Sequence, residues 1–79
     1  MRVPTVTVNG IRMIVHPDDH HPAHVHCRLA GAEVVVLLVP GVAVRANRGM
    51  QAPDVRRVLA AVRANRGRLL AVWRTYHGN

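Results

Sequence analysis

The 79-residue chain has no phenylalanine, no lysine, a single cysteine, four acidic residues and only two aromatic residues, Trp73 and Tyr76. Each shortage excludes something. The lone Cys27 cannot form an internal disulfide, which fits a reducing compartment. No apolar run approaches the ~18 residues of a membrane span, and the N-terminus has no charged-then-apolar leader pattern, so a cytoplasmic protein is expected, with no membrane partner. Without phenylalanine the core must be aliphatic, and Trp73 and Tyr76 carry unusual weight. The scarcity of acids leaves eleven arginines and a formal net charge of +7. That balance favours an acidic partner such as RNA, DNA or an acidic protein, although a codon bias toward arginine produces the same charge without a function. No aromatic residue lies in a predicted strand, which argues against bases stacking on a sheet.

What the chain does have is patterned. The length predicts one domain, residues 1–79, with a small core that gains from a protein partner or a second copy of the chain. The first half reads as β, over 3–46. Val3–Val8 alternates with Thr5 and Thr7, Asn9-Gly10 is a two-residue hairpin turn, and Ile11–Val15 returns. Residues 16–23 hold two prolines and two aspartates and read as a loop. His24–Leu29 is a third strand, Ala30-Gly31-Ala32 a turn, and Glu33–Val39 a fourth strand whose unbroken apolar run predicts burial on both faces and a central place. Val42–Ala46 is a short fifth strand. The second half, 53–77, reads as α: Pro53 and Asp54 suit a first helical turn, and Val55, Val58, Leu59 and Val62 recur at helical spacing. Leu69, Leu70, Trp73 and Tyr76 continue that stripe. Arg66 would also fall in it, so Asn65-Arg66-Gly67 is expected to break the helix, with Gly67 as the cap. The expected fold is α+β, an antiparallel meander of four or five strands packed against a C-terminal helix or kinked helix pair.

Five of the six histidines fall within residues 16–26, with Asp18 and Asp19 among them. His24 and His26 are two apart on a strand and therefore share a face. A loop histidine such as His20 folding back would bring a third imidazole to the same point, with Asp19 completing or orienting the shell. Imidazole suits Zn, Fe, Ni or Cu, so His20, His24, His26 and Asp19 are the candidate ligands of a divalent transition metal. The same face allows metal-free work. His24 and His26 can act as general acid and base at neutral pH, with Arg12 or Arg28 holding a phosphate for RNA cleavage. A purely structural loop, capped by its own Asp and His side chains, is a third reading. Cys27 reads either as a thiolate ligand or as a small buried hydrophobe. Among the helix arginines, Arg56, Arg57 and Arg63 are the candidate nucleic-acid contacts, against the plainer reading of a solvated helix face.

Met1–Val6, Asp18–His26, Gly31–Val36, Val58–Arg66 and Trp73–His77 together make the chain resemble the small bacterial family called domain of unknown function 4160. Members carry a His-Xaa-Pro-Pro-His-Xaa-His loop. This chain keeps His20, Pro22, His24 and His26, with Ala23 in place of the second proline. Its helices are Arg-rich where those of relatives are rich in Glu and Lys. The genes of this family often lie beside those of domain of unknown function 2442, in a toxin–antitoxin-like arrangement, so the resemblance implies a small protein partner. Three expectations follow for function. The first is a toxin–antitoxin-like component that binds a protein partner and nucleic acid through its histidine loop and arginine helices. The second is a divalent-metal-binding protein or small metalloenzyme built on His20, His24 and His26. The third is an accessory protein that docks on a larger biosynthetic enzyme. Residue types alone do not decide whether the chain is an enzyme.

Overall fold

The computed structural model describes residues 4–78. Five antiparallel strands run in chain order across one sheet: β1 (Thr5–Val8), β2 (Ile11–Ile14), β3 (His24–Leu29), β4 (Ala32–Leu37) and β5 (Ala43–Arg48). Two helices follow, α1 (Ala52–Ala64) and α2 (Arg66–His77). The fold is the expected α+β meander. Val3, placed in the first strand by its sequence pattern, lies outside the described residues.

Local chemistry explains the connections. Asn9 and Gly10 both adopt positive φ (49° and 79°), the conformation that the tightest hairpin turn requires. Ala30 and Gly31 do the same (51° and 80°), so the β3–β4 turn has two residues, not three, and Ala32 joins the strand. From β5 the chain enters α1 through Asn47. Its amide donates to the Met50 carbonyl and its side-chain oxygen accepts from the Met50 N–H, both at 2.9 Å. Pro53 and Asp54 occupy the first turn of α1 as expected.

Alternation divides the sheet into two faces. Val6, Ile11, Met13, Val25, Cys27, Val34 and Val36 point to one side and join Val58, Val62, Leu69, Leu70 and Trp73 in the core. Burying an aliphatic side chain of this size contributes roughly 1.5–3 kcal/mol. The strand β4 is buried on both faces at Val34, Val35 and Val36 but is one place off the centre, which β3 occupies. The helix break falls at Asn65, not at Gly67: Gly67 is helical within α2, and the Asn65 amide donates to the Ala61 carbonyl at 2.8 Å. An Asx side chain ends α1, so no glycine cap is needed. Arg66 fits the apolar stripe because its Nε donates to the Leu38 carbonyl at 2.7 Å, which ties the start of α2 to the sheet. No helix among the described residues is long and apolar enough to cross a membrane.

Candidate metal centre

On the sheet face away from the core, Thr5, Ile14, His26, Val35 and Ala46 form one cross-strand row. Thr7, Arg12, Arg28, Glu33 and Arg48 form the next. His24, two residues before His26 on β3, shares this face. The loop before β3 begins with a turn in which the Asp19 N–H donates to the His16 carbonyl at 3.2 Å. Pro17 sits at the turn position that its fixed φ favours. The turn returns Asp19 over the sheet, where one oxygen, Oδ2, lies 2.9 Å from His24 Nε2 and 3.0 Å from His26 Nε2. These three ligand atoms lie within 4.8 Å of one another.

The proton inventory of this cluster is informative. His24 Nδ1 lies 2.8 Å from the Pro22 carbonyl, which can only accept, so Nδ1 carries a proton. A neutral His24 then presents a bare lone pair at Nε2, aimed at a carboxylate oxygen. His26 faces carboxylates on both sides, with Glu33 Oε2 3.4 Å from Nδ1 and Asp19 Oδ2 3.0 Å from Nε2. A neutral imidazole has one N–H, so one of those contacts also sets acceptor against acceptor. Two extra protons, or one shared cation, remove both conflicts. With a cation at the Nε2 side, each histidine donates its Nδ1–H outward, to Pro22 or Glu33. That is the outer-shell arrangement that orients metal-bound imidazoles.

Electrostatics agree. Burial works to raise the Asp19 carboxyl, yet the His26 hydrogen bond and the neighbouring imidazoles of His24, His26 and His16 outweigh it and hold Asp19 below its ordinary range. The Arg28 hydrogen bond, 3.0 Å from Nε to Oε1, is the largest influence on Glu33 and keeps it ionised, with further help from His26. His24 is 5% exposed, walled by Trp73 with ring centroids 5.4 Å apart, while His26 and Asp19 reach the surface. One side of the cluster is therefore dry and the other open.

The structure sorts the remaining candidates by position. His20 lines the cavity of about 310 Å³ above the cluster but is not among the converging donors. Asp18 is exposed and also outside them. His16 sits edge-on to His26, ring centroids 4.5 Å apart. Cys27 points into the core, where burial, helped by the Glu33 charge, pushes its thiol up to about 12. Such a thiol serves neither as ligand nor as nucleophile. Arg56, Arg57 and Arg63 are exposed on α1, which packs on the opposite side of the sheet, and Arg57 pairs with Asp54 at 3.5 Å. Nothing brings them to the histidines. Glu33, Trp73 and the Pro22 carbonyl are parts of the site that residue spacing alone does not mark.

The molecule is thus a small α+β protein with a two-histidine, one-carboxylate cluster on the open face of its sheet. Residues 10–74 match the profile of the Domain of unknown function (DUF4160), and the chain belongs to that family. No curated protein matches the chain, and no solved structure matches it.

Proposed function

We propose that the protein binds one divalent transition-metal ion through Asp19 Oδ2, His24 Nε2 and His26 Nε2. The observation that carries this reading is the convergence of two imidazole Nε2 atoms on one Asp19 oxygen, at 2.9 and 3.0 Å, where a neutral His24, its Nδ1 proton held by the Pro22 carbonyl, offers a bare lone pair that a cation takes without protonating the ring. Mixed imidazole and carboxylate donors suit Zn, Fe or Ni better than Mg or Ca. Three protein ligands leave at least one position for water or a bound group, as catalytic sites do and closed structural sites do not. We place the protein in the reducing cytoplasm, with its single thiol buried. A role in a two-protein, toxin–antitoxin-like module or as an accessory subunit is compatible with this site, because the arginine face of α1 lies away from it and is free to meet an acidic partner or nucleic acid.

Cobalt titration tests the proposal. Tag-free protein should develop visible d–d absorption that saturates near one equivalent of Co²⁺. Asp19→Asn, His24→Ala and His26→Ala should weaken binding by about 10-fold or more, whereas His20→Ala should leave it near wild type. Equal loss on His20→Ala, or no saturable absorption in well-folded wild type, contradicts it.

A further inference from the structure

The cavity above the cluster has a second cationic wall. The β4–β5 ladder pairs Val36 with Val44 and Val35 with Ala46, so Arg45 is the extra residue of a β-bulge. Strict alternation would send Arg45 to the face opposite Ala46 and Arg48. The bulge breaks the alternation, and Arg45, Ala46 and Arg48 all line the same cavity as Asp19, His24 and His26. Arg45 has no carboxylate partner among the described residues. Arg48 is held only loosely, with Nη1 3.8 Å from Glu33 Oε2 and its side chain 76% exposed. Glu33 is already engaged by Arg28 at 3.0 Å. An unpaired guanidinium, Arg45, and a loosely paired one, Arg48, thus stand beside the metal cluster, around a space at the lower end of the range for small-molecule sites.

We infer that this cavity binds a phosphoryl group, as inorganic phosphate or a small phosphate monoester, with one oxygen on the metal ion and others on Arg45 and Arg48. The inference rests on the metal reading above. The cation and the two arginines together exceed the charges of Asp19 and Glu33, so the cavity favours an anion once loaded. Three cationic anchors match the three terminal oxygens of a phosphoryl group, whereas a carboxylate offers two. Guanidinium is also the side chain best shaped for phosphate, through paired N–H donors. Arg45 is the specificity element, since the bulge that places it serves no pairing in the sheet.

The test is calorimetric titration of inorganic phosphate into tag-free full-length protein carrying one equivalent of zinc, with metal content measured on the same samples. Phosphate should bind the loaded wild type. Arg45→Ala and Arg48→Ala should bind it about tenfold or more weakly with zinc content unchanged, and Arg45→Lys should recover part of the loss. Both arginines are exposed, so these variants keep the fold. A nucleoside 5′-monophosphate that binds more tightly than phosphate identifies a monoester as the ligand; equal binding identifies phosphate itself. Unchanged affinity in the arginine variants at full zinc content overturns the inference and leaves the metal reading standing. So does acetate binding as tightly as phosphate, equal phosphate binding by the metal-free protein, or binding of a single-stranded oligonucleotide alone. Failure to retain zinc in wild type removes both readings, and the metal measurement shows that directly.

Discussion

At the scale of single residues, the site is a problem of proton placement that neighbouring groups make unavoidable. The Pro22 carbonyl holds a proton on His24 Nδ1, His26 stands between the carboxylates of Glu33 and Asp19, and both Nε2 atoms converge on Asp19 Oδ2. One residue on from His26, the other face of β3 behaves in the opposite manner. Cys27 is fully buried, and its thiol is pushed from an ordinary value of 9.0 up to about 12. The unfolded chain therefore loses this proton near pH 9 while the folded chain keeps it. Between those two values the unfolded state binds fewer protons, so stability should fall as pH rises, by up to ~1.4 kcal/mol per pH unit. Chemical denaturation at pH 8 and pH 10.5 checks this, and the alkaline loss should shrink in Cys27→Ala. An equal loss in that variant would assign it to other groups. The native thiol should also resist iodoacetamide at pH 8 for as long as the core stays closed.

At the scale of elements, short turns set the register and register assembles the site. The two-residue turn at Ala30-Gly31 pairs Leu29 with Ala32, and from there Arg28 with Glu33 and His26 with Val35. Much of this was legible in the residues. Period-2 alternation marks the strands, helical spacing marks the helices, and the separation of His24 from His26 by one residue places both on one face. Asp19 was within reach of them by proximity in the chain. Glu33 was not read as a partner because a three-residue turn at 30–32 shifts the pairing by one and separates Glu33 from Arg28. Counting outward from a two-residue turn would have found it. Arg45 carried no such signal: a bulge has no residue signature, and alternation alone puts it on the wrong face. Trp73 meets His24 only through tertiary packing, whereas the Pro22 carbonyl, two residues before His24, meets it through the local backbone conformation of the loop. The same turn yields a stability prediction. Ala30 holds φ at 51°, which costs a residue with a β-carbon about 1 kcal/mol or more, whereas the equivalent position of the first hairpin carries Asn9. Ala30→Asn should raise stability by about 0.5–1 kcal/mol in denaturant melts. Gly31→Ala should lower it even though a β-carbon there meets nothing within 4 Å, because the cost lies in its φ of 80° alone. A destabilised Ala30→Asn would contradict this account of the turn.

At the scale of the whole molecule, the sheet separates two tasks. One face is committed to the aliphatic core, closed by Val58 and Val62 of α1 and Leu69, Leu70 and Trp73 of α2. The other carries His24, His26, Glu33 and the arginines of β2, β3 and β5, and α2 reaches it through Tyr76, which lines a cavity with Thr5, Arg12, Ile14 and Arg28. Among the described residues the arginines are accordingly divided between the sheet, at Arg12, Arg28, Arg45 and Arg48, and the two helices. A small core of this kind leaves little stability to spare, so a cation that binds only the folded chain should be visible in melting. At 100 times its dissociation constant, a ligand adds about 2.7 kcal/mol. Metal binding by the cluster is measured most simply by elemental analysis of tag-free protein purified without nickel, beside the His24→Ala/His26→Ala double variant. The account predicts about one equivalent of a single transition metal in the wild type and none in the double variant, both folded by circular dichroism. A folded, metal-free wild type that takes up no zinc, iron or nickel when they are supplied would contradict it.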